Sequence, residues 1–126
     1  MMLIGLAGPV GVGKKTAAAY LHGQYGFERV CFFETIAHVL RTTRAWIVFD
    51  NLRVDYEAES IRSAGGQVWH IQRPFYLARQ SDTYKGIEPK GPDRGLLNDG
   101  PVHAFYNRID RLIEDLLDKV KQEERP

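Results

Sequence analysis

Two rhythms of apolar and polar positions alternate along the chain. Residues 2–7 are almost continuously apolar and stop at a turn, which predicts a strand covered on both faces, as in a parallel sheet. From Lys14 to about Gln24, Ala17, Ala18, Tyr20 and Leu21 give a helix its packing side, and an end is expected near Gly23 and Gly26. Arg29 to Phe33 predicts a second strand, and Ile36, Val39 and Leu40 predict a short helix from Glu34 to about Arg44. The most strand-like run, A-W-I-V-F-D from Ala45 to Asp50, ends on a carboxylate. Asp55 is expected to cap a helix reaching about Ala64, with Gly65 and Gly66 stopping it. Gln67 to Gln72 predicts a fourth strand and Gly95 to Asn98 a short fifth, followed by the turn N-D-G-P. Val102 to about Val120 carries Phe105, Ile109, Leu112, Ile113, Leu116, Leu117 and Val120 at helical spacing, the strongest amphipathic pattern in the chain. Between Arg73 and about Arg94 no period is visible, and Gly and Pro accumulate. That stretch predicts a long loop of the kind that usually has a functional role.

Strand and helix thus alternate almost throughout, which predicts a three-layer α/β domain with a mostly parallel sheet of about five strands and right-handed crossovers. No repeat or linker divides it, so residues 1–126 are expected to form a single domain. Ligands of such sheets bind beyond the carboxyl ends of the strands, so the turn at Gly8, Asp50 and Arg73 should share one edge. Composition narrows the class further. With 17 basic and 16 acidic residues the chain has no global field to attract nucleic acid or an acidic membrane, and neither is expected as a partner. No run approaches the ~20 apolar residues of a membrane span, and the chain opens on a strand rather than a signal peptide. The lone Cys31 can form no internal disulfide, and a cytoplasmic location is expected.

Candidate chemistry concentrates at Gly8 to Thr16, G-P-V-G-V-G-K-K-T, between the first strand and the first helix. Gly8, Gly11 and Gly13 can take positive φ and bring backbone N–H groups close to phosphate oxygens, and Lys14 is placed to reach the β- and γ-phosphates of ATP. Val12, Lys15 and Thr16 complete this expected phosphate cradle. The usual pattern G-x-x-x-x-G-K-[ST] has a hydroxyl where Lys15 stands, and the hydroxyl follows one place later at Thr16. Asp50 has the position of a metal-holding acid at a strand end, or of an ordinary turn aspartate, and Thr16 with Asp50 is the expected Mg²⁺ pair. Arg53 can contact a phosphate bidentately or pair with Glu57 one helical turn on. Of Arg73, Arg79, Lys85, Lys90 and Arg94, in or beside the long loop, Arg73 and Arg79 are the leading phosphate-binding candidates, the alternative being a solvated basic loop. His22, His38, His70 and His103 lack metal-ligand spacing, and Trp46 and Trp69 are expected in the core.

These segments resemble the phage deoxynucleoside monophosphate kinases, within the wider P-loop nucleotide kinases. The likeness runs through G-L-A-G-P-V-G-V-G-K-K-T, then V-F-D-N-L-R-V-D-Y-E-A-E-S-I-R-S-A-G-G, then S-D-T-Y-K-G-I-E-P in the family's lid region, and L-L-N-D-G before the terminal helix. The resemblance implies ATP and Mg²⁺ as cofactors and transfer of the γ-phosphate to a (deoxy)nucleoside monophosphate, with a lid-like loop at 73–95. The chain departs from the family at Lys15, at Asn51 in place of an aspartate, and in the near absence of the helical insertion that closes over the monophosphate. Only Thr42, Thr43 and Arg44 join the segments on either side. Those departures imply an alternative: a degenerate relative that binds nucleotide or protein, such as a host factor, without transfer. A homodimer supplying the missing wall is a further expected partner.

Overall fold

The computed structural model describes residues 2–30, 46–74, 84 and 86–123. Five strands form one sheet in the order β2-β3-β1-β4-β5, with every pair parallel. They are β1 (Leu3–Ala7), β2 (Glu28–Val30), β3 (Ile47–Leu52), β4 (Gln67–Gln72) and β5 (Arg94–Leu97). Three helices are described: α1 (Lys14–Tyr25), α2 (Asp55–Ser63) and α3 (Val102–Glu123). Side chains alternate across the sheet and build a core on each face. Ile4, Leu6, Val48, Trp69 and Ile71 pack with α1 and α3, while Leu3, Phe49 and Val68 pack with Ala58 and Ile61 of α2. The domain is therefore a three-layer α/β sandwich. Fully buried side chains such as Trp69, Phe49 and Ile4 are each worth about 2–3 kcal/mol of transfer free energy. Among the described residues no helix is long and apolar enough to cross a membrane.

Local differences from the sequence pattern have physical causes. Helix α1 runs through Gly23 and ends at Gly26, where φ of 75° turns the chain and Gly26 N–H reaches His22 O at 3.1 Å. Asp55 does not cap α2. It is the first helical residue, and its Oδ1 accepts instead from Glu88 N at 3.2 Å. Glu57 does the capping, its Oε1 accepting from Arg53 N at 2.8 Å and Val54 N at 3.3 Å. Strand β5 begins at Arg94 and stops before Asn98. The second strand is described only to Val30, so Cys31 and the expected helix from Glu34 to about Arg44, with His38, lie outside the described residues.

Helix α1 is tied to α3 by two phenols on one carboxylate. Tyr20 Oη donates to Asp110 at 2.8 Å and Tyr25 Oη at 2.6 Å, while Tyr20 stacks on Tyr106 with ring centroids 4.1 Å apart. Burial first, and then Asp110 as acceptor, push both phenol pKa values up, so both groups stay donors.

A second polar cluster pins the lead-in to β5. Asp93 accepts from Arg62 Nη2 at 2.6 Å, Arg62 Nε at 2.9 Å, His70 Nε2 at 2.7 Å and Lys90 N at 3.1 Å. Arg62 Nη2 also holds Glu88 O at 3.2 Å. Burial would raise the Asp93 pKa, but the hydrogen bonds from Arg62, His70 and Lys90 N–H outweigh it and bring the value to about 2. Replacing a carboxylate so enclosed leaves Arg62 with only the exposed Glu59, 3.3 Å away, as a charge partner. Asp93→Asn should therefore destabilise the fold by about 3 kcal/mol at pH 7, read from urea unfolding. Because the folded pKa lies below the ordinary 3.8, the native stabilisation is complete above 3.8 and is lost as pH falls through about 2, so wild type and variant should converge over that window.

Candidate functional site

Strand β1 is the centre of the sheet, with β3 on one side and β4 on the other, so its carboxyl end is where the strand order reverses. The turn leaving it, Gly8 to Gly13, carries positive φ at three glycines: 148° at Gly8, 90° at Gly11 and 117° at Gly13. Two of them have no room for a side chain. A Cβ on Gly8 would meet Val12 Cγ2 at 2.7 Å and Ile71 O at 3.0 Å, and one on Gly13 would meet Asn98 Nδ2 at 2.8 Å. The turn leads directly into α1, whose N-terminus has no side-chain cap, and Ala17 N to Gly13 O at 2.9 Å is the first helical bond.

Neighbouring strands pin this loop. Arg73, just past β4, donates from Nη1 to Gly11 O at 2.9 Å, and Asn98, just past β5, donates from Nδ2 to Val12 O at 2.9 Å. From the other side, Lys14 Nζ donates to Asn51 Oδ1 at 3.2 Å. Lys14 is only 8% exposed, a degree of burial an ammonium tolerates when polar partners surround it.

Around the loop opens a cleft of ≈ 1080 Å³. Its walls are Gly11, Gly13, Lys14, Lys15 and Thr16 from the loop and α1; Asp50, Asn51 and Arg53 from β3 and beyond; Arg73 and Pro74 after β4; and Asn98 to Gly100 with Val102 and Phe105 after β5. Asp50 and Asn51 both line it although they are adjacent in a strand. The register explains this: Gly5 pairs with Phe49 but Ala7 pairs with Leu52, so β3 holds one extra residue and its alternation slips at this point. Leu52 thereby takes the buried position that strict alternation would give Asn51.

Among the described residues, charge in the cleft is unbalanced in favour of cations. Lys14, Lys15, Arg53 and Arg73 line it, against Asp50 and Asp99. Both acids are engaged by arginines that do not line the cleft: Asp50 with Arg29 Nη2 at 3.3 Å and Asp99 with Arg108 Nη1 at 2.6 Å. What remains is a concave surface with excess positive charge and an uncapped helix N-terminus, an arrangement suited to an anion.

The cleft gathers Gly11, Gly13, Lys14, Lys15, Thr16, Asp50, Arg53 and Arg73 from the residues singled out in the sequence. Gly8 and Val12 shape the loop without lining the cleft; they border a smaller hollow of ≈ 310 Å³ with His70, Tyr84 and Ile87. Arg79 and Lys85 lie outside the described residues. Lys90 lies 3.6 Å from Glu59 and Arg94 3.0 Å from Asp115, and neither lines the cleft. Arg53 forms no ion pair with Glu57, whose carboxylate is used by backbone N–H groups, and its side chain is left to the cleft. Sequence reasoning passed over Arg29 and noted Asn51 only as a departure from the family and Asn98 only as part of a turn; they enter as partners of Asp50, Lys14 and Val12. Only the Asn98 position had a signal, as the first residue of the turn beyond the last strand of a parallel sheet. Among the described residues no group of three or more His, Cys, Asp or Glu is arranged to hold a metal.

A scan against models of known protein families finds none that matches the chain, and a search of the curated proteins finds no match.

The two classes of glycine should respond oppositely to a methyl group. Gly13→Ala should cost about 2 kcal/mol in urea unfolding, since it combines a positive φ with a contact on Asn98. Gly23→Ala, within α1 and with nothing within 4 Å of the added Cβ, should stabilise by about 0.7 kcal/mol.

Proposed function

We propose that the cleft binds the phosphates of a nucleotide and that the chain transfers the γ-phosphate of ATP to a (deoxy)nucleoside monophosphate. The observation that carries this reading is the convergence of a glycine loop, an uncapped helix N-terminus and four cationic side chains on one cleft at the strand-order reversal. Phosphoryl transfer asks little covalent chemistry of a protein and much positioning and charge neutralisation, which such a surface supplies. In this reading the loop N–H groups and Lys14 hold the donor phosphates, while Arg53 and Arg73, on opposite walls, bind or bridge phosphates. The segmental resemblance to the phage deoxynucleoside monophosphate kinases supplies the reaction and the acceptor class. Thr16 and Asp50 both line the cleft and fit Mg²⁺, which keeps several waters and takes few protein ligands; it would neutralise phosphate charge.

One observation favours a second reading, a nucleotide- or protein-binding relative that transfers nothing. Asp50, the metal-holding candidate, is 6% exposed and already paired with Arg29. Metal binding at Asp50 has to displace or share that guanidinium.

Turnover separates the two. With ATP, Mg²⁺ and a panel of nucleoside monophosphates, the enzyme reading expects diphosphate formation that chelation of the metal abolishes and that Lys14→Ala lowers by on the order of 100-fold. Absence of turnover in wild type, together with calorimetric binding of ATP that Lys14→Ala removes, would establish the binding module instead. A chain that neither turns over nor binds ATP defeats the enzyme and the nucleotide-binding module, and leaves only the protein-binding relative.

A further inference from the structure

Asn98 takes no part in the phosphate contacts proposed above, yet its side chain engages the loop at the point where the loop enters α1. Its own N–H donates to Gln72 O at 2.7 Å, which anchors its backbone to the end of β4. Its Nδ2 donates to Val12 O at 2.9 Å and would lie 2.8 Å from a Cβ placed on Gly13. The amide therefore holds the Val12 carbonyl and leaves no room for a side chain at position 13.

A trans peptide is planar, with its C=O and N–H pointing in opposite directions. Holding the Val12 carbonyl toward Asn98 turns the Gly13 N–H away from Asn98. That N–H makes no hydrogen bond among the described residues, whereas the preceding donor, Val12 N–H, reaches Pro9 O at a long 3.4 Å. Glycine at position 13, with φ of 117°, gives the same peptide an unusually low barrier to turning over. The loop thus needs glycine to fit and an external bond to stop the freedom glycine brings.

We infer that Asn98 is a positioning residue: by holding Val12 O it keeps the Gly13 N–H aimed at the anion. This rests on the phosphate-binding reading of the cleft. Asn98 touches no reacting atom in this role and acts through the orientation of one peptide. A carboxylate at position 98 would fail twice, because it cannot donate to Val12 O and because its charge opposes the anion.

The test is titration of pyrophosphate into wild type, Asn98→Ala and Asn98→Asp by calorimetry, with the Gly13 amide followed in ¹⁵N–¹H spectra. Wild type should bind, with the Gly13 amide among the resonances displaced. Asn98→Ala should bind about tenfold more weakly and Asn98→Asp more weakly still, while both keep a cooperative ligand-free unfolding transition lowered only by what one lost hydrogen bond costs. The isosteric aspartate keeps the backbone turn if alanine disturbs it. Equal pyrophosphate affinity in wild type and variants overturns the role of Asn98 and leaves the phosphate site standing. Weakened binding in variants that have lost the cooperative ligand-free transition, or whose Gly13 amide is displaced by pyrophosphate as in wild type, also overturns it, as the mark of a purely structural contact. Wild type that binds no pyrophosphate overturns the phosphate reading itself.

Discussion

The structure depends on how a glycine-rich loop with few internal hydrogen bonds of its own is held open at the centre of the sheet. Between Ala7 and Lys14 the one described backbone bond internal to the loop is Val12 N to Pro9 O, at 3.4 Å. Backbone carbonyls in such a loop still require donors, and they are supplied from outside: Arg73 to Gly11 O and Asn98 to Val12 O, both at 2.9 Å. Because the outward carbonyls are taken, the N–H side of the loop is left to whatever occupies the cleft. The openness of the loop is in this sense a property of β4 and β5 as much as of β1.

The layers serve that requirement. A parallel order with β1 central brings the ends of β3, β4 and β5 around one turn, and cores on both faces fix their relative height. Tyr20 and Tyr25 on Asp110 bind α1, which carries Lys14 and Thr16, to α3, which begins beyond Asn98. On the opposite face the Arg62–Asp93–His70 cluster fixes the approach to β5, and so the place where Asn98 emerges. Electrostatics follow the same division. Among the described residues, the two acids that line the cleft are paired with Arg29 and Arg108 from behind, and cations outnumber acids on the inward surface.

Much of this was legible in the residues. The alternation of period, the continuous apolar strands, and Gly8 to Thr16 between a strand and a helix determine the architecture and where the cleft must open, because each rests on local pattern. What was not legible depends on register and long-range approach. A one-residue bulge that brings Asp50 and Asn51 to the same cleft leaves no trace in V-F-D-N-L. Asp55 looked like a cap because it precedes an apolar pattern, but it is Glu57 that reaches back to the Arg53 and Val54 N–H groups, a choice made by side-chain reach. Arg29 and Asn98 are 21 and 86 residues from the atoms they hold, so no window along the chain could join them. Asp93 reads as one more polar residue in a Gly/Pro-rich stretch until folding encloses it with Arg62 and His70.

The central claim is that the loop between β1 and α1 receives the phosphates of a nucleotide. A crystal structure of the chain grown with ATP and Mg²⁺ tests it most directly. The account predicts the β-phosphate seated at the N-terminus of α1, accepting from the Gly13 N–H, with Lys14 Nζ drawn from Asn51 onto a phosphate oxygen. Nucleotide bound elsewhere, or a loop empty at saturating ATP with Lys14 still on Asn51, would contradict it.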